Sequence, residues 1–132
     1  MKSLELPTGA VSRIGGVSEG FAALVVADLA RGPAARTGVL HIACDAEGME
    51  AARQTLAFFA PELEVRTFPA WDCMPYDRVS PSSAVVSQRM ETLGFLASKL
   101  AGGALAEGAA GGEGGGPRVV LTTVNAALQR IP

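Results

Sequence analysis

Three short segments constrain this chain more than any other feature of its 132 residues: the apolar runs Val39–Ala43 and Val119–Thr122, and the strand candidate Val65–Phe68 between them. Each is too short for a helix, is bounded by turn residues, and reads as a strand buried on both faces. Between them lie stretches with helical period. The first, from Glu19, carries Phe21, Leu24, Val25 and Leu29 on one stripe behind Ser18 as N-cap, and stops at Gly32-Pro33. The second opens on Asp45 as N-cap, with Glu47 and Glu50 near its positive end, repeats Met49, Ala52, Leu56 and Phe59, and stops at Pro61. The third opens on Ser80 with Pro81 at its first position and places Val86, Met90, Leu93, Ala97 and Leu100 on its buried face. A last helix starts at Val124 behind Thr123. Ala10–Ile14 is a further strand candidate. Strands alternating with helices require right-handed crossovers and a mainly parallel sheet covered on both faces. The expected fold is therefore an α/β three-layer sandwich with a small sheet, one lobe over residues 1–132.

Composition excludes several functions. Eleven basic and thirteen acidic residues give a net charge of -2, and the basic ones are scattered, so phosphate neutralisation by a basic stripe is not expected of this chain. His41 is the single histidine and Cys44 and Cys73 the two cysteines. They support neither a histidine-based triad nor a His/Cys zinc site. The cysteines suit buried small hydrophobes in a reducing cytoplasm. The longest apolar run, Phe21–Ala27, is far below a membrane span, and no membrane partner is expected. Eight of the sixteen glycines crowd into Gly102–Gly116, so residues 102–117 read as a glycine-rich surface loop.

Two constellations could carry chemistry. Gly15 to Gly20 has the glycine spacing of a phosphate-binding loop opening a helix. The next two positions should be Lys and Ser or Thr but are Phe21 and Ala22, and Glu19 adds negative charge, so the cation and the magnesium ligand are both missing. An alternative is a Rossmann-like nucleotide site, with Gly15–Gly20 at the pyrophosphate and Asp45 on a ribose hydroxyl, although the glycine spacing departs from that fingerprint. The other constellation is the proline-stiffened segment 69–81. Asp72 and Asp77 there are either turn formers or an acid–base pair. Trp71 and Tyr76 either pack onto the sheet, stack a base, or anchor a protein partner.

The run FPAWDCMPYDRVSPSSAVVSQRMETL, from Phe68 to Leu93, goes further. Its pattern W-D-x-x-P-Y-D-x-x-S-P followed by S-x-R-x-x-T-L resembles the N-terminal region of the bacterial transcription-repair coupling factor family, and VVLTTVNAALQRIP resembles that family's next strand and helix. The resemblance implies a large cytoplasmic protein that uses ATP and Mg2+ in motor domains outside this chain to translocate on DNA and displace stalled RNA polymerase. It implies an N-terminal module similar to excinuclease B that contacts excinuclease A. This lobe would be noncatalytic and without a cofactor, with a degenerate P-loop NTPase-like topology at Gly15, Gly20, Phe21 and Ala22. The motif positions Trp71, Asp72, Pro75, Tyr76, Asp77, Ser80, Pro81 and Arg89 are the candidate interaction residues.

Overall fold

A computed structural model describes residues 7, 9–32, 34–35, 37–73, 78, 80–105 and 118–129. The elements alternate in the expected order: α1 (Glu19–Arg31), β1 (Val39–Ala43), α2 (Ala46–Phe59), β2 (Glu64–Phe68), α3 (Ser83–Leu105), β3 (Arg118–Thr123) and α4 (Val124–Leu128). The three strands form one parallel sheet in the order β1-β3-β2. The last of the described strands is thus the central one, flanked on both sides. Gly38, at φ 88°, turns the chain into β1; a Cβ there would lie 3.4 Å from the Arg118 carbonyl oxygen, and the positive φ would strain any residue with a side chain.

Strand alternation divides β3 between two faces. Val119 and Leu121, each 0% exposed, point into a core with Ala23, Val26, Ala27 and Ala30 of α1 and with Met49 and Leu56 of α2. Val120 and Thr122 point to the opposite face, where they line a crevice with Leu93 and Leu96 of α3 and Ala126 of α4. Helices therefore lie on both sides of the sheet. Asp45 caps α2 as expected, its carboxylate accepting the Gly48 N–H at 2.7 Å, and Thr123 caps α4 by accepting the Ala126 N–H at 3.2 Å.

Several expectations fail, each for an identifiable reason. The buried stripe of α1 is not Phe21-Leu24-Val25-Leu29 but Ala23-Val26-Ala27-Ala30, and Phe21 is 61% exposed. Small side chains let α1 and α2 approach closely, so the alanines take the interface and the larger residues flank it. On α3, Met90 is exposed while Arg89 and Thr92 are buried. A polar face is turned inward because β2 and the segment after it offer acceptors and aromatic rings. Ala10–Ile14 forms no strand: its residues are exposed and pair with neither sheet edge. Helix α3 begins at Ser83, not at Pro81, and continues through Gly102–Leu105. The loop expected over 102–117 thus starts no earlier than residue 106, and residues 106–117 lie outside the described ones. Cys44 is exposed and Cys73 half-buried rather than both buried, since Cys44 falls in the turn past the last core residue of β1. Among the described residues no helix is long and apolar enough to cross a membrane.

Candidate functional site

The site that the structure builds from the motif lies where β2 ends and α3 begins. Phe68 is the last residue of β2, and Trp71 follows after Pro69 and Ala70. Residues Arg89 and Thr92 of α3 are three apart and so share one helix face, which is pressed against this strand end. The Arg89 guanidinium carbon lies 4.1 Å from the Phe68 ring centroid and 4.2 Å from that of Trp71. Its Nη1 donates to the Pro69 carbonyl at 2.7 Å. Only 1% of Arg89 is exposed, and its Nη2 has no hydrogen-bond partner among the described residues. A cation over two aromatic faces in a dry setting is held by their quadrupoles; the desolvation depresses its pKa but leaves it an arginine, charged at any physiological pH.

Further bonds fasten the same corner. Thr92 Oγ1 donates to the Thr67 carbonyl at 2.7 Å and Thr122 Oγ1 to the Phe68 carbonyl at 2.8 Å. The Trp71 backbone N–H donates to Gln129 Oε1 at 2.9 Å. Asp72 reaches forward to the start of α3, where its two carboxylate oxygens accept the Ser82 N–H at 3.1 and 3.2 Å. The Ser82 hydroxyl and N–H hold the Asp72 carboxyl below its usual range. Ser82 in turn accepts the Val85 N–H. The capping role expected of Ser80 therefore belongs to Ser82, while Ser80 and half-buried Pro81 lead into the helix. Asp72 acts here as a turn former. Its suggested acid–base partner Asp77, together with Pro75 and Tyr76, lies outside the described residues.

The phosphate-loop positions are arranged differently. Gly15 is exposed in an irregular segment, Gly16 has φ 72°, and among the described residues no strand leads into α1. A P-loop-like topology thus lacks its defining strand-to-helix turn here. Gly20 and Ala22 do line one crevice of about 420 Å³ with His41, Cys44 and Asp45 at the carboxyl end of β1. That brings Gly20 and Asp45 together, as the Rossmann-like alternative requires, but leaves Gly15 out. The Asp45 carboxylate is engaged by its own helix, and among the described residues no Lys or Arg lines the crevice to meet a phosphate. Among the described residues no group of acidic, histidine and cysteine side chains could hold a metal ion.

Burial lowers the His41 pKa from its ordinary 6.5, so the fold favours the neutral imidazole. The unfolded chain takes up a proton near 6.5 while the native one does not. Stability is therefore full above that value and declines as the pH falls through it toward the native pKa. Glu50, Glu62 and Asp72 all have lowered pKa values, Glu50 to about 2, and do not titrate in that window. Melting temperatures between pH 7.5 and 5.5 are expected to fall for the wild-type chain and to stay flatter for His41→Gln; parallel profiles would contradict this assignment.

The chain is similar to transcription-repair-coupling factors. It is 37% identical over 94 residues to the protein of that name from Rickettsia bellii (strain RML369-C), covering 71% of this chain and 7% of that protein. With the one from Rickettsia prowazekii (strain Madrid E) it shares 35% identity over 64 residues, 48% of this chain and 6% of the relative. The chain thus spans under a tenth of the length of these coupling factors. No family model matches it, and no solved structure does. Against the expected interaction residues, the structure brings Trp71 and Arg89 together and ties Asp72 to the start of α3. Phe68, Thr92, Thr122 and Gln129 are the members of the corner that sequence reasoning did not single out; the R-x-x-T spacing at Arg89 and Thr92 was the available signal for one of them.

Proposed function

We propose that this chain is a noncatalytic α/β lobe of a transcription-repair coupling factor, and that it supports the module through which such a protein contacts excinuclease A. The observation that carries the reading is the 37% identity over 94 residues to a protein named for that activity. The W-D-x-x-P-Y-D and S-x-R-x-x-T-L pattern supplies the N-terminal placement, and with it the likeness to excinuclease B. Four described residues of that pattern are spent on internal fastening: Trp71, Asp72, Arg89 and Thr92 all bind parts of this chain. Such residues give a scaffold rather than a reaction centre. In this reading ATP and Mg2+ belong to motor domains of the parent protein, as do the contacts with DNA and RNA polymerase, and Gly15, Gly20, Phe21 and Ala22 are the remains of a phosphate loop. The protein acts in the cytoplasm.

Two titrations test this proposal. Calorimetry of the chain with Mg-ATP is expected to give no heat of binding, and micromolar binding would refute the assignment of a lobe without a nucleotide site. The full-length gene product is expected to bind excinuclease A, and Trp71→Ala in it to weaken that binding together with the stability of the lobe. Tight binding retained in a variant with an unfolded lobe would remove this chain from the contact.

A further inference from the structure

We draw no further inference here: the strongest candidate, the polar crevice of about 390 Å³ along the outer edge of β2, between Glu50 and Arg53 of α2 and Gln88 and Glu91 of α3, carries nothing because nothing in the structure shows what covers it.

Discussion

Arg89→Ala is expected to destabilise the chain by about 3 kcal/mol in urea denaturation, among the larger losses for a single side chain. Two ring contacts at 4.1 and 4.2 Å and a charged hydrogen bond to the Pro69 carbonyl disappear together. Desolvated cation–π contacts reach about 2 kcal/mol and charged hydrogen bonds about 1.5–3 kcal/mol; the released cost of burying a cation with an unused N–H offsets part of that sum. The substitution series separates the terms. Arg89→Lys keeps the charge but has no plane to lie over two rings and a shorter reach, so it is expected to cost about as much as alanine. Arg89→Met keeps the bulk and removes the buried charge, and is expected to cost about half as much, because apolar replacement of buried ions is often well tolerated. A lysine variant within about 0.5 kcal/mol of wild type, the usual scale of a neutral surface change, would show that the stacking contributes nothing. The measurement bears on function because it decides whether the family pattern marks a fastening or a docking surface.

The second large effect is expected in the central strand. Leu121 is fully buried, and its neighbours are drawn from both helices of the core face. Leu121→Ala leaves a cavity that two strands and two helices would have to close together, so the loss should fall within the usual range of about 2–5 kcal/mol. In a lobe of this size that is a large fraction of total stability. By contrast, Leu128→Ala on the 81% exposed end of α4 should change little. If the two variants melt alike, Leu121 does not occupy the packed interior described above.

Much of this arrangement is legible in the amino-acid order. The positions of β1 and β3 follow from short aliphatic runs, and two of the caps follow from Asp45 and Thr123, because these features are local and a few residues decide them. What cannot be read is which way each helix rolls. On α1 the hydrophobic stripe and the alanine stripe both satisfy helical period, and only the closeness of α2 selects the alanines. On α3 the period of Val86, Met90 and Leu93 argues for one buried face, yet Arg89 and Thr92 turn inward because carbonyls and rings wait there. Those partners are 20 to 25 residues away in sequence for the two hydrogen bonds, out of reach of any window-based reading. The phosphate-loop spacing is the converse case: the glycines are present, but the strand that would aim them is absent among the described residues.

The two threonine hydroxyls at the end of β2 have a consequence for folding. Thr92 belongs to the helix that covers β2 and Thr122 to the strand beside it, and each is bonded to one particular carbonyl, of Thr67 and of Phe68. A chain that pairs β2 with β3 one residue out of place turns every β2 side chain to the wrong face and forfeits both bonds at once. The hydroxyls thus work like the teeth of a key, admitting a single alignment of an edge strand that, with Arg and Glu along it, has little hydrophobic preference of its own.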